Sequence, residues 1–120
     1  MKTAFWQSQL YTFLMYCNGH GLEKEILDCG AGGKTPPLAI FKEHGYETCG
    51  IEIDDEQIDK ANKFEEERGI DLNIQKGDMR DLPFENSSKN YIYSYNSIFH
   101  MNKKEVAQTI SEIKRVLKPI

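Results

Sequence analysis

"EILDCGAGGK", residues 25–34, runs an apolar strand into an acid and then into a glycine-rich turn. Ile26 and Leu27 suit a strand, and Asp28 closes it. Gly30, Gly32 and Gly33 then allow a sharp turn that a ligand can approach with no Cβ atoms in the way. Two phosphate-binding patterns are absent. GxxxxGK[ST] would need a glycine at position 28, where Asp28 stands, and the order Gly30, Ala31, Gly32, Gly33, Lys34, Thr35 does not make GxGxxG. The stretch is therefore not the phosphate loop of a nucleoside triphosphatase. A structural strand-to-helix turn capped by Asp28 would use the same residues, so the ligand has to be argued from the rest of the chain.

Outward from that turn, strands are expected at 25–29, 47–53, 72–76 and 90–95, short runs rich in Ile, Leu, Tyr and Thr. Helices are expected between them. Pro36 and Pro37 suit the first turn of 36–44, Asp54 and Gln57 have capping-box spacing for 55–68, and Gly69 ends that helix. Asn102 and Glu105 repeat the spacing ahead of 103–117, where Val106, Ile110, Ile113 and Leu117 recur at helical intervals. Phe5, Trp6, Leu10, Phe13, Leu14 and Cys17 mark one face of a further helix over 3–17, stopped by "NGHG". Alternating strand and helix implies βαβ units, a parallel sheet and ligand binding at the carboxyl ends of the strands. One domain is expected, with an N-terminal helix and loop over 1–21 and an α/β core over 22–120.

The totals agree with one soluble domain. In 120 residues, 39% are hydrophobic and 28% charged, and no apolar run approaches the roughly 20 residues of a membrane span. No signal peptide is expected, because Gln7, Ser8 and Gln9 interrupt the N-terminal apolar stretch. Cys17, Cys29 and Cys49 lack CxxC spacing and read as buried thiols of a reducing compartment, which makes a cytoplasmic location the expectation. His20, His44 and His100 lack zinc-like spacing with them, so no metal is expected. With 15 basic and 19 acidic residues the net charge is −4, and no basic run of five appears, which argues against a surface that tracks nucleic acid.

The remaining strand exits carry acids. Glu52 ends the second strand within "GIEIDD", where a carboxylate can accept from both hydroxyls of a ribose, although a solvated strand-end acid would look the same. Asp78, in "KGDMRDLPF" (76–84), follows the third strand and can accept from an exocyclic adenine amine, while Met79 can pack on the ring. A turn-forming aspartate is the plainer reading of Asp78 alone. Together, "EILDCGAGGK", "GIEIDDEQIDKA", "GDMRDLPF" and "EIKRVLKP" resemble, in order, the successive motifs of class I S-adenosylmethionine-dependent methyltransferases of the methyltransferase type 11-like kind, over residues 25–119.

The resemblance implies a Rossmann-like parallel sheet of order 3-2-1-4 and S-adenosyl-L-methionine as cofactor. Carried over residue by residue, it implies contacts from Asp28, Gly30 and Gly32 to the methionine part, from Glu52 to the ribose, and from Asp78 and Met79 to adenine, with Ala31, Ile53 and Tyr95 also at the cofactor. One departure stands out. The third glycine of the family turn falls at Lys34, with Gly33 one place early, so Lys34 either faces solvent or reaches the cofactor carboxylate.

The acceptor side belongs near "YSYNSIFHM" (93–101). His100, which resembles a histidine of small-molecule members, and Tyr95 are the catalytic candidates, His100 as general base for a hydroxyl or carboxyl acceptor. Tyr91, Tyr93 and Tyr95 alternate onto one strand face, a pattern that half-buried sheet surface shares. Phe5, Trp6 and Tyr11 either close over the cofactor or pack in the core.

The family motif at "VLKP" continues into strands 5–7, whereas this sequence ends at Pro119 and Ile120, so a truncated domain is expected. Either it is a fragment or a homodimer pairs along the fourth-strand edge. Three functions follow as expectations: methyl transfer to a small-molecule acceptor, an S-adenosylmethionine-binding or interaction module without transfer, and a nicotinamide oxidoreductase. The last shares the ribose acid but leaves Asp78 unexplained.

Overall fold

The protein is described by a computed structural model covering residues 8–95 and 101–119. Helix α1 (Ser8–Asn18) leads into strand β1 (Glu25–Cys29), followed by α2 (Leu38–Glu43), β2 (Glu47–Glu52) and α3 (Asp55–Arg68). Strands β3 (Ile74–Lys76) and β4 (Tyr91–Tyr93) and helix α4 (Lys103–Val116) complete the order. The four strands form one parallel sheet in the order β3-β2-β1-β4, as expected.

The central strands β1 and β2 are buried on both faces. On one side Leu10, Leu14, Cys17, Phe41 and Phe64 from the first three helices pack on Ile26 and Tyr91, and on the other Val116 and Ile113 of α4 meet Leu27, Cys29 and Ile51. All three cysteines are buried free thiols, and burial pushes Cys17 up to about 11 and Cys29 up to about 12. Among the described residues, no helix is long and apolar enough to cross a membrane.

Local signals set most of the helix ends. Asn102 and Glu105 close a capping box on α4, each side chain bonding the other's backbone N–H, and Gly69 ends α3 at φ +65°. The expected box at Asp54 and Gln57 does not form. Asp54 caps α3 through the N–H of Glu56, but its own N–H goes to Glu52, and Gln57 turns toward the glycine turn.

Several elements are shorter than their patterns. Helix α2 starts at Leu38, because Pro37 occupies the cap position and neither proline has an N–H to give. Strand β3 begins at Ile74, since Asn73 adopts φ +55° and the Leu72 N–H turns to Glu65. Strand β4 ends at Tyr93, its last partner on β1 being Asp28, beyond which β1 soon turns away at Gly30. Tyr95 therefore lies beyond the end of the strand, while still packing on the same core cluster as Tyr91 and Tyr93.

Candidate active site

The sheet register brings three strand exits to one edge. Beyond the Cys29–Ile51 pair, the N–H groups of Gly30 and Ala31 both donate to Ile51 O, at 2.8 and 3.0 Å, which lays the glycine turn against the end of β2. The Gly77 N–H donates to Glu52 O at 3.0 Å, drawing the β3 exit to the same place. Glu52 thus sits between the turn and the loop that carries Asp78.

Two glycines shape the turn for different reasons. Gly33 holds φ +114°, a conformation that favours glycine, and donates its N–H to Gln57 O at 2.9 Å. Gly32 instead needs room. A Cβ there would stand 2.8 Å from Cγ and Oε1 of Glu52 and 2.9 Å from Cβ of Gln57.

Glu52 is half-buried and already busy: Oε1 accepts the Gly32 N–H at 2.9 Å and Oε2 the Asp54 N–H at 3.2 Å. A carboxylate has about four lone-pair sites, so about two remain. Asp78 is more heavily engaged. Its Oδ1 accepts Arg80 N and Nε, both at 2.9 Å, and its Oδ2 accepts Nε at 3.1 Å and Nη2 at 2.6 Å. These guanidinium bonds hold the Asp78 carboxyl below its ordinary range. Arg80 Nη1 also reaches Glu105 Oε2, so the β3 exit is tied to the start of α4.

These groups line a cavity of about 610 Å³, of a size usual for small-molecule sites. Of the nine residues named for cofactor binding, Gly30, Gly32, Glu52, Ile53, Asp78, Met79 and Tyr95 line it. Asp28 and Ala31 do not, and both are fully buried. Ala31 turns inward toward Gly50, where an added Cβ would lie 2.5 Å from its own. Asp28 is shut in beside Tyr93 with neither oxygen completing a hydrogen bond, and burial pushes its carboxyl up to about 7, opposed by the Tyr93 hydroxyl and aided by the Glu52 charge.

Lys34 is exposed and lies outside the cavity, which favours the solvent-facing alternative. Tyr11 packs edge-on against His44, 6.4 Å between ring centres, away from the site. Phe5, Trp6 and His100 lie outside the described residues. The cavity also takes in Gln57, Arg80, Met101 and Glu105, which sequence reasoning did not place there. Glu105 was legible only as a cap, and no short-range pattern pairs it with Arg80, 25 residues earlier.

The family model for a methyltransferase domain matches residues 26–120. This chain belongs to that family. It is a class I S-adenosylmethionine-dependent methyltransferase domain by sequence and by fold. Sterol 24-C-methyltransferase of Pneumocystis carinii is 36% identical over 98 residues, which cover 78% of this chain and 25% of the relative. An O-methyltransferase of Pyrenophora dematioidea is 37% identical over 99 residues, covering 80% and 36%.

Among solved structures, PH0226 protein from Pyrococcus horikoshii superposes with a TM-score of 0.82 at 27% identity, over 95% of this chain and 54% of that one. A SAM-dependent methyltransferase from Methanosarcina mazei gives 0.70 at 28% identity, over 88% and 52%. The methyltransferase domain thus spans about a quarter to a third of these curated relatives and about half of these solved chains.

Proposed function

We propose that the cavity binds S-adenosyl-L-methionine and that the protein transfers its methyl group to a small-molecule acceptor. The observation that carries this reading is the convergence of Glu52 and Asp78, from neighbouring strand exits, on one cavity walled by the Gly30–Gly32 turn. The donor set fits a cationic, hydroxyl-rich ligand. It offers carboxylates, and a phosphate would be repelled by them. The buried Asp28, beside the Tyr93 hydroxyl, adds a further acid behind the turn.

In this reading Glu52 accepts from the ribose hydroxyls with the lone pairs that Gly32 and Asp54 leave, and Ile53 borders the ribose. Asp78 accepts from the adenine amine in place of one of its Arg80 bonds, and Met79 packs on the ring. Gly30 and Gly32 give the methionine end close access to the backbone, with Ala31 fixing the turn from beneath. The bound group supplies a methyl carbon activated by a sulfonium. The chain's own task is to align an acceptor with it and keep water out. Tyr95 and Met101 line the cavity and adjoin 96–100, so we assign the acceptor side there, with His100 as base where the acceptor is a hydroxyl or carboxyl.

The relatives are named for different acceptor atoms: carbon in sterol 24-C-methyltransferase, oxygen in O-methyltransferase, nitrogen in the sarcosine/dimethylglycine N-methyltransferase of Aphanothece halophytica. Their names support a small-molecule acceptor and leave its reacting atom open. The buried thiols support a reducing, cytoplasmic location.

The test is thermal denaturation and calorimetric titration with S-adenosylmethionine and S-adenosylhomocysteine, with oxidised nicotinamide dinucleotide in parallel. At 100 times the dissociation constant the ligand adds about 2.7 kcal/mol of stability if only the folded state binds it. Stabilisation by the dinucleotide and not by the sulfonium would overturn the reading. Tight binding with no transfer to hydroxyl, amine or sterol acceptors selects the second reading, a binding module.

A further inference from the structure

The departure at Lys34 acquires a use once the chain is folded. Lys34 and Thr35 leave the glycine turn on the side away from the cavity and face α3, where Lys60, Lys63, Phe64, Glu67 and Arg68 recur at helical spacing. Together they enclose a groove of about 280 Å³. Four cations line it against one carboxylate, in a protein whose net charge is −4. Lys60 has a weak exposed partner in Glu56, 3.8 Å away, while Lys34, Lys63 and Arg68 have no carboxylate within ion-pair distance among the described residues. Arg68 is steadied instead by lying over the Phe64 ring, 4.8 Å from its centre.

Like charges that outnumber their counter-charges repel one another, so the arrangement lowers its energy when an anion enters. A planar guanidinium with three ammonium groups and the Thr35 hydroxyl matches the oxygens of a phosphate better than one carboxylate. The volume is just below the range of sites for drug-sized ligands and accommodates one or two phosphoryl groups. No basic track extends from it along the sequence, which disfavours a nucleic acid.

We infer that the groove between Lys34–Thr35 and α3 is a binding site for the phosphate or diphosphate group of a small ligand, separate from the cavity proposed for the cofactor. The two share one turn. Gly32 lines the cavity, Lys34 lines the groove, and Gly33 between them is bonded to Gln57 O.

The test is calorimetric titration of the whole chain with inorganic phosphate and pyrophosphate at fixed ionic strength, with potassium chloride as the balancing salt. Saturable one-to-one binding is expected, tighter for pyrophosphate. It should weaken at least tenfold in Lys34→Gln and in the double variant Lys63→Gln/Arg68→Gln, and stay unchanged in the control Lys114→Gln/Lys118→Gln. The Lys63/Arg68 variant should bind S-adenosylmethionine as the wild type does, with thermal unfolding confirming that it folds. No saturable response, or equal loss in the control, reduces the groove to general surface charge and overturns the inference. So does tighter binding of a single-stranded oligonucleotide with a steep salt dependence.

Discussion

Glu52 does two jobs at once. It closes the turn through the Gly32 N–H and keeps lone pairs pointed at the cavity. From sequence it reads as a ribose-binding acid or a solvated strand-end acid, and the structure adds the role of a brace. Glu52→Ala is expected to lose most S-adenosylmethionine binding and also to destabilise the unliganded protein by about 1–3 kcal/mol, the cost of stranding polar groups. Glu52→Gln, which still offers one acceptor, should recover much of the stability and little of the binding. Urea denaturation beside calorimetry separates the two effects.

Asp28 predicts a pH dependence. Its carboxyl stands at about 7 in the folded protein because of burial, while in the unfolded chain it titrates near 3.9. Between those values the unfolded chain gives up the proton and the folded chain keeps it, so stability is greatest in acid and falls as pH rises through the window. Asp78 and Glu112 are shifted the other way, and the stability they contribute is lost only in acid. The melting temperature of the unliganded protein should fall from about pH 5 to about pH 7, and Asp28→Asn should remove most of that slope, with Glu65 retaining a remainder. A wild-type profile flat across that interval contradicts the assignment.

Between elements, the informative contact is Arg80. Its fork holds Asp78 on the β3 exit and Glu105 at the start of α4, while Glu105 also caps that helix by accepting the Asn102 N–H. The adenine side of the cavity and the segment leading into α4 are therefore fastened by one side chain. Arg80→Met keeps the stem and removes the fork. It is expected to weaken S-adenosylmethionine binding about tenfold or more, the range of a lost hydrogen-bonded charge pair. Arg80→Lys should not restore it, because an ammonium cannot bond both carboxylate oxygens and Glu105 in one plane. Binding equal to wild type in Arg80→Met would show that Asp78 needs no such holder.

For the whole molecule, the open question is the outer edge of β4. Part of it is covered, since Leu117 pairs with Lys89 in parallel and the Lys118 N–H donates to Lys89 O at 2.9 Å. Residues Tyr91–Tyr93 pair with β1 on one side, and among the described residues no strand is paired on the other. Such an edge is a template for another strand, and we propose that two copies of this chain meet there. Light scattering after size exclusion should give twice the chain mass at high concentration and a return to the single mass on dilution. A single mass throughout removes the proposal.

The sequence by itself determined the alternation of strand and helix and hence a parallel sheet, the caps at Asn102 and Gly69, and the acids at Glu52 and Asp78. Each is written in hydrophobic period, turn chemistry or short spacing, interactions that span a few residues. Tertiary structure alone decided that Asp28 is sealed in, that Arg80 meets Glu105, that Gln57 abandons its cap, and that Lys34 joins cations from α3. Those outcomes depend on which face of a distant element arrives beside a residue. Burial, the pairing of charges and the space left for a Cβ are set by that arrival and leave no mark on the local pattern.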